Sequence, residues 1–317
     1  MTTHRHALPQ LGGGLFLTDG GIETTLIYLE GLALPDFAAF HLLRAPGGEQ
    51  ALRKYFATYA AVAEKHEAGL LLESPTWRAS ADWGARLGYG RRDLLEANQK
   101  AIGIMEQVRD DMGGATKAVI SGCIGPRGDG YVPGKTMTER EAADYHADQA
   151  RAFADSAADM ISAITMNYVE EAIGIARAAE HAGMPVAISF TVETDGRLPT
   201  GQRLGEAIVA VDAATSGYPA YYMVNCAHPT HFDSVLQRGE PWTARVRGVR
   251  ANASRMSHAQ LNEATELDSG HPEEFGLQHA ALKKHLPQLC VMGGCCGTDH
   301  RHVDAIAEAC APLFAAR

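Results

Sequence analysis

Residues 291–300 read VMGGCCGTDH, with Cys295 and Cys296 adjacent among three glycines and directly after an apolar run. Thiols in such a place can form a vicinal disulfide, a redox pair, two buried small side chains or part of a metal site. A vicinal disulfide is strained and disfavoured where the compartment is reducing, and six cysteines in 317 residues are too few for a disulfide scaffold. For this pair alone, a Gly-rich turn and a metal site are about equally good readings. A third cysteine, Cys226 in MVNCAHP, also follows an apolar run. Cys123, Cys290 and Cys310 lie inside strand-like or helical stretches and read as small buried hydrophobes.

Which cysteines can meet depends on the elements that carry them. Apolar runs recur at 15–21, 68–76, 117–126, 158–166, 185–192, 220–228, 242–249 and 288–294. Most are apolar on successive residues, as strands buried on both faces are. Amphipathic stretches of helical period separate them. Thr138 with Glu141 reads as a capping box opening the third, and Gly183 and Gly217 read as helix C-terminal glycines. Eight strand-then-helix units without a composition break predict a single α/β domain over 1–317, a (β/α)8 TIM barrel. The rival, a doubly wound open sheet, normally carries an early G-x-G-x-x-G, and GLFLTDGGIETT does not supply one. The loops after runs one, three and seven are long, which is where a barrel builds its site.

On this plan Cys226 ends the sixth strand, and Cys295 and Cys296 end the eighth. Next-but-one strands lie about 10 Å apart. Zinc–sulfur bonds of about 2.3 Å plus inward-pointing side chains can close that gap. Gly293, Gly294 and Gly297 would let the backbone turn so that both neighbouring sulfurs face inward. Cys226 at the matching strand end tips the balance toward a Zn2+ site. Three thiolates leave a fourth tetrahedral position exchangeable, the pattern of catalytic rather than structural zinc. A thiol bound there would be held ionised near neutral pH.

The formal net charge of −10 and pI near 5.8 argue against phosphate-backbone partners. No run approaches the roughly 18 residues of a membrane span. The N-terminus is polar and Gly-rich, unlike a signal peptide. A reduced, cytoplasmic protein with small-molecule partners is expected, with no nucleic acid and no membrane. The chain ends soon after its last predicted helix, which suggests a monomer or homodimer.

Several segments together resemble one family, the zinc-dependent homocysteine S-methyltransferases, which include betaine- and S-methylmethionine-using enzymes. TDGGIETTL (18–26) is similar to that family's D-G-G-x-x-T-x-L motif, and SPTWRAS (74–80) to T-x-T-Y-x-A-S. SFTVETDGRLPTG, VNCAHP and GGCCGT also match, and the last two together are highly specific. The resemblance implies zinc on Cys226, Cys295 and Cys296 and methyl transfer to a thiol sulfur. It places Asp19 at the acceptor's amino group, with Gly20 and Gly21 letting backbone approach the ligand. It also implies substrate contacts from Thr24 in the first motif and from Ser74, Thr76 and Trp77 in the second. Asn225 and Asn252 match family Asn positions, although either reads equally well as a structural loop amide.

Two positions depart from the pattern. The family's strand-four Glu, which helps hold the homocysteine amino group, aligns with Ile164, removing a charge-assisted contact worth roughly 1.5–3 kcal/mol. Glu23, where small or apolar residues are usual, is the candidate replacement; as a bland alternative it is a helix N-terminal acid. Arg78 stands where the betaine enzymes have an aromatic suited to caging an onium donor. An Arg there points instead to a donor or acceptor bearing a carboxylate, and Trp77 keeps one aromatic wall. His228 and His231 read as loop residues rather than ligands. Glu193 and Asp195 read as part of an Asp-Gly turn. With no cobalamin or folate domain in this length, the donor expected is a small sulfonium or ammonium compound. Homocysteine is the first expectation for the acceptor. The alternatives are a different thiol, because of Ile164, or a non-catalytic zinc- or thiol-sensing protein.

Overall fold

A computed structural model describes residues 4–114, 116–237 and 239–314. Each of the eight apolar runs carries a strand, the seventh continuing two residues past its run. These are β1 (Phe16–Leu17), β2 (Gly69–Glu73), β3 (Ala118–Ile124), β4 (Met160–Met166), β5 (Val186–Phe190), β6 (Tyr221–Asn225), β7 (Val246–Ala251) and β8 (Val291–Gly294). All pair in parallel, each with its sequence neighbours, and β1 pairs with β8 to close the barrel. The expected (β/α)8 TIM barrel is what the chain forms.

A helix follows each strand: α1 (Gly48–Lys65), α2 (Arg91–Asp111), α3 (Glu139–Ala154), α4 (Val169–His181), α5 (Leu204–Ala214), α6 (Pro229–Leu236), α7 (Pro272–His285) and α8 (His300–Cys310). Local chemistry sets their ends. Thr138 accepts from the Glu141 backbone N–H while the Glu141 carboxylate accepts from Thr138 N, capping α3 reciprocally. Gly183 and Gly217 take φ of 68° and 72° just past α4 and α5, a conformation that costs glycine nothing.

The strand runs are apolar on successive residues because both faces are buried. Phe16, Leu71, Val119, Met160, Tyr221, Met223 and Val291 fill the barrel interior. Leu17, Leu70, Leu72, Ile120, Ile161 and Val224 face the helix layer. Among the described residues no helix is long and apolar enough to cross a membrane. The long segments after β1, β3 and β7 lie at the C-terminal rim, the end where barrel chemistry is built.

Candidate active site

The thiols are positioned by the strand between them. Cys226 N donates to the Arg250 carbonyl at 2.9 Å, and Cys295 N donates to the Ala251 carbonyl at 2.8 Å. The ends of β6 and β8 therefore grip consecutive carbonyls of β7 from opposite sides. The sulfurs of Cys226, Cys295 and Cys296 all fall within 4.8 Å of one another. Cys226 Sγ is 2.6 Å from Cys295 Sγ and 3.4 Å from Cys296 Sγ, and all six cysteines are free. A tetrahedral zinc with Zn–S near 2.3 Å needs sulfurs about 3.8 Å apart. Side-chain adjustments of roughly 1 Å bring the cluster to that spacing, so the donor set fits the ion.

The surroundings of Cys226 fit a thiolate. Tyr131 Oη donates to its sulfur at 2.9 Å and Asn252 Nδ2 at 3.8 Å. His258 Nε2 donates to the Cys226 carbonyl at 2.8 Å, while Nδ1 faces Glu193 at 3.1 Å. Cys226 itself has φ of 54°, uncommon for a non-glycine residue, and this donor helps hold it there. The hydrogen bond with Cys295, together with burial, pushes the Cys226 thiol far above the usual thiol range. Ionised together, three sulfurs this close would need a balancing cation such as zinc.

The glycines act differently from the expectation. Of Gly293, Gly294 and Gly297, only the last makes a left-handed turn, at φ of 78°. Gly294 is needed for close approach, since a Cβ there would collide with the Thr298 side chain. Gly21 is similar: a Cβ would come within 2.6 Å of the Cys295 carbonyl and 3.0 Å of Cys296 Cα. Gly20 would meet Tyr59 and Thr298. These two glycines bring the first loop against the cysteine loop of their own chain.

Beside the sulfurs lies a cavity of about 70 Å³, lined by Asp19, Gly20, Gly21, Glu23, Glu73, Ser74, Trp77, Cys123, Tyr131, Ile164, Asn225, Arg250, Cys295 and Cys296, with a few neighbours. Asp19 is buried and pairs with Arg250 at 2.5 Å, while Tyr55 Oη donates to its second oxygen at 3.0 Å. Burial pushes its carboxyl up, and Arg250 and Tyr55 pull it back. Arg250 also pairs with Glu73, so one guanidinium bridges two buried carboxylates. Among the described residues no Arg or Lys pairs with Glu23 as Arg250 pairs with Asp19. Burial, aided by the charge of Asp19, raises its carboxyl to about 7 against the pull of its own backbone N–H and of Arg78 and Arg250. It faces the same cavity as Ile164, as a replacement acid must.

Other expected residues separate by role. Trp77 lines the cavity and its Nε1 donates to the Ile164 carbonyl at 3.2 Å. Ser74 accepts from Cys123 N and Thr76 Oγ1 donates to the Cys123 carbonyl, so this pair ties β2 to β3; fully buried Thr76 does not line the cavity. Asn225 Oδ1 accepts from Thr165 N and Ser189 Oγ, and its Nδ2 donates to Thr165 Oγ1. Its amide is thereby spent on holding Thr165 at φ of 66°. Thr24 Oγ1 donates to the Gly21 carbonyl and accepts from Gly297 N, stitching the first loop to the cysteine turn. Arg78 is outside the cavity lining. Its guanidinium stacks 3.8 Å over Trp83, donates to the Asp36 carbonyl and lies 4.0 Å from Asp129. His228 caps α6, and Asp195 accepts from Arg197 N in the turn.

Sequence reasoning passed over Glu73, Arg250, Tyr131, His258 and Tyr55. A usable signal existed for the first two: Glu73 ends an otherwise apolar strand, and Arg250 lies one residue from the C-terminal end of β7. Cys123, read as an inert core residue, is buried but does line the cavity.

The fold and site together define a closed parallel barrel whose C-terminal rim carries acidic side chains and three convergent thiols able to hold a metal ion. A homocysteine S-methyltransferase family model matches residues 16–310, and the chain belongs to that family. It is 26% identical over 234 residues to betaine–homocysteine S-methyltransferase 1 of Rattus norvegicus, covering 68% of this chain and 54% of that protein. It is 28% identical over 242 residues to methionine synthase of Mycobacterium tuberculosis, covering 69% of this chain and 18% of that protein. The chain thus spans about half of one curated relative and under a fifth of the other. The fold also matches the homocysteine methyltransferase MmuM of Escherichia coli in its metallated form, with a TM-score of 0.73 and 17% identity over 96% of this chain and 98% of that one.

Proposed function

We propose that this barrel is a zinc-dependent S-methyltransferase that moves a methyl group from a small sulfonium or ammonium donor to the thiol of homocysteine, forming methionine. The observation that carries this reading is the convergence of Cys226, Cys295 and Cys296 on the edge of a cavity that Asp19 and Glu23 also line. Zinc held by the three sulfurs would supply the positive charge that keeps an acceptor sulfur ionised.

The chain's own groups set the rest. Glu23, which lines the cavity without an Arg–carboxylate pair like that of Asp19, takes the acceptor's ammonium, and Asp19 adds negative charge while Arg250 and Tyr55 fix its orientation. Tyr131 and Trp77 wall the cavity and keep water from the sulfur. An onium donor leaves as a neutral molecule, so no general acid is needed. In this reading residues 1–317 work as one barrel domain in the cytoplasm, as a monomer or homodimer, with only small-molecule partners. Zinc-loaded protein incubated with homocysteine and a panel of onium donors should form methionine, read by mass spectrometry. Methylation only of other thiols would move the acceptor, and stoichiometric zinc with no transfer to any thiol would support a sensing role instead.

A further inference from the structure

A second cavity, of about 180 Å³, adjoins the first and shares Tyr131 and Cys296 with it. Three of its walls are aromatic: Tyr28 and Phe37 from the first loop and Tyr131 from the third. Leu261 and Leu267 add apolar surface, and Glu266 and Asp268 add negative charge. Among the described residues no Lys or Arg lines it.

The chain holds this wall at a cost. Asp36 and Phe37 have successive left-handed φ angles of 52° and 54°, a sparsely populated arrangement for two non-glycine residues, and Phe37 is left 41% exposed. Arg78 donates to the Asp36 carbonyl and Arg86 pairs with the Asp36 carboxylate at 2.6 Å. Arg78 therefore fixes the turn that presents Phe37 to the cavity, which accounts for an arginine that touches neither sulfur nor pocket acid.

We infer that this second cavity receives the methyl donor, and that it selects a small onium compound of net positive charge over a zwitterion. The inference rests on the methyltransferase reading above. Aromatic faces attract a cationic methyl-onium head through their quadrupoles. The two carboxylates favour a net cation, and nothing cationic in the lining is free to pair with a donor carboxylate: the His258 ring is engaged by Glu193 and the Cys226 carbonyl. The volume is below the roughly 300–1,000 Å³ of sites for drug-sized ligands, as a small donor requires. With acceptor and donor on the two sides of Tyr131 and Cys296, the acceptor sulfur's lone pair forms the S–CH3 bond. The donor's C–S or C–N bond breaks as it does so, and its electron pair stays on the neutral leaving group. The acceptor's thiol proton passes to water.

The test is isothermal titration of the zinc-loaded protein with trimethylsulfonium, tetramethylammonium and glycine betaine. Wild type should bind both cations, and glycine betaine about tenfold more weakly. Phe37→Ala should weaken cation binding about tenfold, and Arg78→Met should follow it, since one presents the other. Glu266→Lys, on an exposed side chain that leaves the fold untouched, should weaken it further still. Unchanged affinity in Phe37→Ala and Glu266→Lys with normal zinc content, or tighter binding of the zwitterion, overturns the inference. Homocysteine methylation measured on the same proteins separates the two claims. Cation binding sensitive to Phe37 without any transfer sinks the methyltransferase reading alone; transfer whose donor KM ignores Phe37 and Glu266 sinks the cavity alone.

Discussion

The Arg250 guanidinium lies 2.5 Å from the Asp19 carboxylate while its other edge pairs with Glu73, so three charges share the buried floor of the acceptor cavity. Breaking such a cluster is costlier than the cluster is stabilising, because it strands buried charge. Arg250→Met should lower unfolding stability at pH 7 by about 3–5 kcal/mol in urea titrations. The stranded carboxylates would have raised folded-state pKa values, so the variant should regain stability as pH falls and lose it as pH rises. Adding Glu73→Gln should restore part of the loss. Wild-type stability in Arg250→Met would show that the triad does not hold the floor.

Glu23 titrates at about 7 when folded, against 4.5 for an ordinary Glu. Between these values the folded chain binds the proton more tightly than the unfolded one. Its contribution is therefore fully present below about pH 4.5 and declines as pH rises to 7. In zinc-free protein, Glu23→Gln should flatten this part of the stability–pH curve. At pH 8 the variant should be more stable than wild type by on the order of 1 kcal/mol, after allowance for solvent screening. An identical curve would place Glu23 in ordinary solvent.

The same residue should appear in the kinetics. Loss of a charge-assisted contact of about 1.5–3 kcal/mol predicts that Glu23→Gln raises the homocysteine KM at least tenfold with a smaller change in kcat. Ile164→Glu, which restores an acid on the facing strand, should lower that KM in the wild-type background and rescue Glu23→Gln. No effect from either change would remove homocysteine's ammonium from this end of the cavity.

The strands and the meeting of the three thiols were legible because each follows from local patterns. Continuous apolar runs mark strands buried on both faces, and a parallel closed barrel then brings the ends of strands six and eight to the same rim. The polar half was not, because its contacts join residues far apart in sequence: Asp19 to Arg250, Tyr131 to Cys226, Arg78 to Asp36. Arg78 shows the limit best. Its type suggested a ligand carboxylate, yet the guanidinium is used by the Asp36 turn and the Trp83 ring. Gly20 and Gly21 line the cavity and also pack closely against Tyr59, Thr298 and the cysteine loop, contacts that no local pattern reveals.

Asn225 makes three hydrogen bonds with Thr165 and Ser189 that help hold Thr165 at φ of 66°. Asn225→Ala should cost about 2–4 kcal/mol, from lost hydrogen bonds and buried groups left unpaired. Asn225→Asp keeps Oδ1 but replaces the donor, and should fall between. Thermal unfolding of the three proteins gives the order directly; equal midpoints would reduce Asn225 to a spectator.

The central claim is that Cys226, Cys295 and Cys296 together hold one zinc ion, and metal content measured on purified protein tests it most directly. Wild type should carry one zinc per chain after dialysis. Cys226→Ser and Cys296→Ser should each lose most of it, while Cys290→Ser, at a buried thiol outside the cluster, should keep it. Equal zinc in wild type and Cys226→Ser would contradict the site.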